Sequence, residues 1–194
     1  MIIGIDVDGT LTDIAGFMLE KGGEFFQRPA VDPKAFDIEQ MFGCSHKERN
    51  LFWRKHLPGY CRKMPIVDGA AETIRKLRDD GHKICIVTSR VYATRKDPVG
   101  YLFRSMLRGW LRRNGVVYDE IVFCEDSGES KLENCQKLGV DVMIDDKPEN
   151  LLALSGKHSV IACPMPWNED IEEKGITRSR DWNEIYDYIK DIKN

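Results

Sequence analysis

Ile2-Ile3-Gly4-Ile5 runs directly into Asp6-Val7-Asp8-Gly9-Thr10, and this junction decides how the rest of the chain is read. The apolar run is too short for a helix and is continuous rather than alternating, as in a parallel strand covered on both faces. It delivers two carboxylates, one residue apart, to the strand's C-terminal end, where open α/β sheets place their ligands. Side by side they repel each other unless a cation or a proton intervenes. A polar strand-to-turn junction is the plainer alternative.

Four more apolar runs follow: Lys83–Thr88, Glu120–Cys124, Asp141–Asp145 and His158–Cys163. Helical patterns separate them. Val99, Leu102, Phe103, Met106, Leu107, Trp110 and Leu111 recur with the helical period, with Arg104, Arg108 and Arg112 on the other side. Ala70, Ile74 and Leu77 mark another helix, and Ser130–Leu138 and Pro148–Ser155 two more. A last helix opens at Asp181 and Glu184 in a capping-box arrangement. Strand–helix alternation of this kind predicts an α/β fold, a doubly wound parallel sheet. The exception is the roughly 75 residues between the first two strands, far more than a βα connection needs. Phe17–Phe26, around Gly22-Gly23, reads as a β-hairpin. Asp32-Pro33 and Ser45-x-x-Glu48 read as helix starts and Pro58-Gly59 as a stop. The expected division is therefore a core of residues 1–13 and 65–194, with a hairpin-and-helix cap, 14–64, inserted over the C-terminal edge of the sheet.

Composition removes several classes of function. The 194 residues carry 29 Lys+Arg against 32 Asp+Glu, a net charge of −3, which is no footprint for a nucleic acid polymer or an anionic membrane. At 42% hydrophobic and 31% charged, the chain can bury a core. No apolar run approaches the roughly 18 residues of a membrane span. MIIGIDVDGT has acids where a signal peptide would carry basic and then apolar residues, so a cytoplasmic protein is expected. The six cysteines include no CxxC pair, and Cys85, Cys124 and Cys163 fall in or beside strands, as reduced core thiols do.

Three further signals converge on strand ends. Asp145-Asp146 closes the run Val142-Met143-Ile144, Thr88-Ser89 closes the second strand, and Lys131 stands at a helix start. Alone, these read as a helix-entry turn, a strand cap and a solvated lysine. Together with Asp6 and Asp8 they make an oxygen-rich site suited to Mg²⁺ beside a phosphate.

The order DxDGT, Thr, Lys, DD resembles the haloacid dehalogenase superfamily of phosphohydrolases over about residues 1–13 and 65–165. The resemblance implies sheet order 5-4-1-2-3 and a small cap after the first strand. It implies Asp6 as nucleophile, Asp8 as general acid/base, and Thr88 and Lys131 as phosphate holders, with Ser89 beside them. Mg²⁺ would be held by Asp6, the backbone carbonyl of Asp8, and Asp145, with Asp146 behind them or facing the metal. Chemistry supports these roles separately. A carboxylate attacking phosphorus splits one displacement into two, and cations neutralise charge on the transferring group. The second acid must protonate an alkoxide and then deprotonate water, so it is expected to start protonated.

Within that superfamily the chain resembles the 5′-nucleotidases related to deoxyribonucleotidases, through Asp6–Thr10, Pro65–Ala70 leading into Ile86–Ser89, Met143–Asp146, and Trp182. It departs from their pattern at Thr10, Arg90 and Lys147. The function implied is a Mg²⁺-dependent phosphomonoesterase acting on nucleoside monophosphates; a phosphatase of a sugar phosphate or other small metabolite is the alternative. A phospho-accepting or binding-only protein is the alternative of another class, though the third strand ends in no clear acceptor beyond Glu125 and Asp126, and all four motifs are intact. Among the cap aromatics, Phe52 and Trp53 are the candidates to stack on a base. Oligomeric state is not legible.

Overall fold

In a computed structural model of the protein, which describes residues 1–171 and 174–193, the opening run is strand β1 (Ile2–Ile5) at the centre of a six-stranded parallel sheet. The other strands are β2 (Lys83–Thr88), β3 (Glu120–Phe123), β4 (Val142–Asp145), β5 (Ser159–Ala162) and β6 (Ile176–Arg178). Their order is β3-β2-β1-β4-β5-β6, the expected five-strand order extended by β6 beyond β5. Three residues at an edge give too short an apolar run to be legible.

Alternate side chains of these strands enter two separate cores, which is why the runs show no polar alternation. Ile3, Ile5, Ile84, Ile86, Ile144 and Ile161 pack on one face with α4 (Ala70–Asp79), α5 (Pro98–Arg113) and α8 (Trp182–Lys193). Cys85, Val87, Met143 and Val160 pack on the other with α6 (Gly128–Leu138) and α7 (Pro148–Ser155). The cysteines are all free, and Cys44 alone is not buried. Among the described residues no helix is long and apolar enough to cross a membrane.

The insertion departs from its sequence reading in three places. The expected hairpin is helix α1 (Ile14–Phe26), N-capped by Asp13, whose carboxylate accepts from Gly16 N–H at 2.8 Å. Gly22 serves packing here, not a turn: a Cβ on it would sit 2.3 Å from the Phe42 ring. Asp32-Pro33 forms a turn, and α2 (Ile38–Phe42) starts later, capped by Asp37, which accepts from Glu39 N–H. Pro58 lies inside α3 (His46–Lys63) and does not end it. The turn beyond it carries Tyr60 and Cys61, which pack with Leu57 on Phe103 of α5, and that burial outweighs the lost backbone hydrogen bond. The capping box at Ser45 and Glu48 is formed as expected. Met18, Ile38, Met41, Phe42 and Phe52 close a third apolar cluster among these helices.

Candidate active site

Parallel pairing aligns the strand ends that carry the motif residues. Ile5 is opposite Ile86 on one side and Ile144 on the other, so Asp6, Thr88 and Asp145 leave the sheet at one edge. The Asp6 N–H still donates to the Ile144 carbonyl at 3.0 Å. Lys131, from α6, reaches between them, its Nζ donating to Asp6 Oδ1 at 2.6 Å and Asp145 Oδ2 at 2.7 Å. Ser127 caps that helix and accepts from Ser130 N–H, which fixes the turn from which Lys131 projects.

This is an acid cluster short of positive charge. Asp6, Asp145, Asp146 and Lys131 are all buried, so three carboxylates face one ammonium. Burial pushes the Asp6 carboxyl up to about 7, against Lys131 and with help from Asp145 and Asp8. Burial, then Asp145 and Asp6, hold the Asp146 carboxyl well above its ordinary range. Burial works against the Lys131 ammonium, but its two carboxylate partners outweigh it and keep it charged. Asp145 is fixed by the N–H groups of Asp146 and Lys147, both at 2.9 Å, and by Asn150 Nδ2 at 3.1 Å. Asp146 packs against Gly9, whose φ of +86° and missing side chain are both required: a Cβ there would lie 2.2 Å from Asp146 Oδ2.

A buried, oxygen-only donor set with surplus negative charge fits a small hard divalent cation. Among the described residues no three metal-ligating side chains already converge as a cage, because the Lys131 ammonium holds Asp6 and Asp145 in ion pairs.

Asp8 has different company. Arg90 holds both of its oxygens, Nε at 3.1 Å and Nη2 at 2.5 Å, and Tyr60 Oη donates to Oδ1 at 2.6 Å. Burial raises the Asp8 carboxyl, but Arg90 and Tyr60 outweigh it and hold it below the usual carboxylate range. The sequence reading expects this acid to begin protonated; here it is held as the carboxylate by a guanidinium that stood only as a departure from pattern. Tyr60 lies within 2.7 Å of Thr12 Oγ1, and its ring faces Arg90.

Thr88 Oγ1 accepts from Arg90 N–H at 3.3 Å and lines the cavity with Lys131. Ser89 also lines it, but its hydroxyl donates to the Glu125 carbonyl at 3.1 Å. The insertion supplies the apolar part of the lining: Ile14, Met18, Phe36, Ile38, Trp53 and Leu57. Phe52 is not part of it. It is fully buried between Phe25, Phe26 and His56. Arg90, Tyr60, Asn150 and Trp167, whose indole donates to Asp146 at 3.0 Å, are site residues the motifs do not reveal. Only Arg90 and Asn150 lie close to a motif in sequence.

The sequence profile of the family described as 5′ nucleotidase, deoxy (pyrimidine), cytosolic type C protein matches residues 1–194. A candidate 5′(3′)-deoxyribonucleotidase from Chlorobaculum tepidum is 26% identical over 210 residues, covering 98% of this chain and 90% of that protein. Among solved structures, a haloacid dehalogenase family hydrolase from Deinococcus radiodurans, with bound phosphate and sodium, superposes with a TM-score of 0.67 at 16% identity, covering 99% of this chain and 96% of that one. The D,D-heptose 1,7-bisphosphate phosphatase of B. bronchiseptica, complexed with magnesium and phosphate, gives a TM-score of 0.57 at 12% identity over 98% of each chain.

Proposed function

The chain belongs to the cytosolic type C 5′-nucleotidase family of haloacid dehalogenase hydrolases, and from that premise we propose that it hydrolyses nucleoside monophosphates through an aspartyl-phosphate, with Mg²⁺ as cofactor. One observation carries the reading: a single cavity is lined both by Asp6, Asp8, Thr88, Lys131 and Asp145 and by apolar side chains of the insertion, Trp53 among them. The first group suits a phosphate and the second an uncharged ring.

In this reading Asp6 attacks phosphorus, forming the P–O bond to its carboxylate as the ester P–O bond breaks. Thr88 and Lys131 hold the phosphoryl oxygens while charge moves onto them. The leaving alkoxide takes a proton from Asp8, so the first step needs Asp8 protonated and loosened from Arg90. The carboxylate form paired with Arg90 is the one that accepts a proton from water in the second step. That water attacks phosphorus, the P–O bond to Asp6 breaks, and inorganic phosphate leaves. Asp6, Asp145, the Asp8 backbone carbonyl and Asp146 would hold Mg²⁺, which supplies charge neutralisation and lets two carboxylates stand side by side. Residues 14–64 act as the cap that reads what the phosphate is attached to, and the reaction belongs to the cytoplasm.

The test is a phosphate-release screen with magnesium across nucleoside monophosphates, sugar phosphates and p-nitrophenyl phosphate. Preferential turnover of nucleotides is expected. Preference for a sugar phosphate would move the substrate class and keep the chemistry; no turnover of any ester would overturn both.

A further inference from the structure

Beyond the motif residues, one indole is tied to the acid cluster without touching the cavity. The chain leaves β5 through Cys163 and makes a single 3₁₀ turn at Pro166–Asn168. Trp167 Nε1 donates to Asp146 Oδ2 at 3.0 Å, whereas among the described residues Oδ1 has only Thr10 Oγ1, at 3.4 Å. The turn is held firmly. Asn168 Nδ2 donates to the carbonyls of Asp146 at 2.7 Å and Cys163 at 2.8 Å, and Arg178 of β6 grips Asn168 in turn. The edge β6, absent from the sequence reading, thereby gains a purpose. The Trp167 ring also meets Phe36 edge-on at 5.1 Å, and Phe36 lines the cavity.

We propose that Trp167 is a positioning residue that fixes the Asp146 carboxylate for the divalent cation. The proposal rests on the reading that such a cation binds here. A carboxylate rotates about a soft torsion, so its only short hydrogen bond from a rigid donor decides where its second oxygen faces. A carboxylate's hydrogen-bond partner contributes to metal affinity even though it never touches the ion, typically 10- to 100-fold when removed.

The experiment is calorimetric titration with magnesium chloride of the wild type, Trp167→Phe, Asp146→Asn and the double variant, with melting temperatures alongside. Trp167→Phe keeps a ring against Phe36 and removes only the N–H. Its magnesium Kd should rise about 10- to 100-fold. In the Asp146→Asn background the same change should cost at most about twofold, because the indole acts through that carboxylate. Phe36→Leu, which removes the ring contact and leaves the N–H, should keep the wild-type Kd within about twofold. If Trp167→Phe fails to fold, Trp167→Leu, which keeps apolar bulk and carries no N–H, takes its place in the same cycle. Unchanged affinity in the Trp167 variant, or an equal loss in both backgrounds, would overturn the inference alone. A wild type that takes up no magnesium would overturn the cation site itself, and the inference with it.

Discussion

Asp6 and Asp8 stand two residues apart and are held by different cations, Asp6 by Lys131 and Asp8 by Arg90 with Tyr60. Asp6→Asn keeps the shape and removes the attacking charge, so turnover should fall about 10³-fold or more in a folded protein. Retention of more than a few per cent would refute the nucleophile. Asp8→Asn removes the proton carrier and should cost about 10²–10⁴-fold. With p-nitrophenyl phosphate, a good leaving group, the first step suffers less than the second. Mass spectrometry should then find one added phosphoryl group, and its absence beside slow turnover would count against this division of labour. Arg90 is a stability residue as well. It is buried, and Arg90→Ala leaves the Asp8 carboxylate without its partner, a loss of about 3–5 kcal/mol by denaturation. In an Asp8→Asn background the same change should cost clearly less, since there is no charge left to strand; equal losses would show that Arg90 matters only through packing.

At the scale of elements, α3 divides its work between neighbouring rings. Phe52 is fully buried in the insertion's apolar cluster, whereas Trp53 packs on that cluster's edge and also lines the cavity. Phe52→Ala should therefore lower stability by about 3–5 kcal/mol and affect all substrates alike. Trp53→Ala should lower kcat/KM for a nucleoside monophosphate about 5- to 150-fold and leave p-nitrophenyl phosphate nearly unchanged. Equal losses on both substrates with a lowered melting point would make Trp53 structural. His56 gives the same helix a pH dependence. Its Nε2 is buried against Phe17, Phe25 and Phe52 without a hydrogen-bond partner among the described residues, and burial, then Lys55 and Lys21, hold its pKa below the ordinary 6.5. The unfolded chain thus binds this proton more readily than the folded one. The contribution to stability is full above about pH 6.5 and is lost as pH falls toward the folded pKa. His56→Gln should flatten the wild type's fall in melting temperature between about pH 7 and 5; an unaltered slope would assign that fall to other groups.

For the whole molecule, the proposed cation at the acids of the sheet edge would couple its own binding to folding. Magnesium that binds only the folded state at 100 times its Kd adds about 2.7 kcal/mol. That corresponds to several degrees of melting temperature for a chain of this size, reversed by a chelator. A melting point indifferent to magnesium and chelator would contradict the proposed cation site. The same scale separates what the chain states locally from what only packing settles. Ile2–Ile5, Lys83–Thr88 and Val142–Asp145 announce a parallel sheet because strands buried on both faces must be apolar throughout, and that requirement is written residue by residue. The acids follow their strands directly, so Asp6, Asp8, Asp145 and Asp146 were legible as one edge once the strands were. Gly22-Gly23 and Pro58-Gly59 misled, because a glycine inside a helix and a proline past its first turn look like breaks. What allowed both was distant in sequence: the Phe42 ring that fills the space at Gly22, and Phe103 under the turn that carries Tyr60. Arg90 on Asp8, Trp167 on Asp146 and the divergence of Phe52 from Trp53 likewise belong to the tertiary structure. Sequence by itself determined five of the six strands, the edge to which they bring the acids, and the class of hydrolase, since each is carried by short runs of residues adjacent along the chain. The company of each acid, and which ring faces the cavity, depend on contacts between side chains from 21 to 82 positions apart, and only the packed fold decides them.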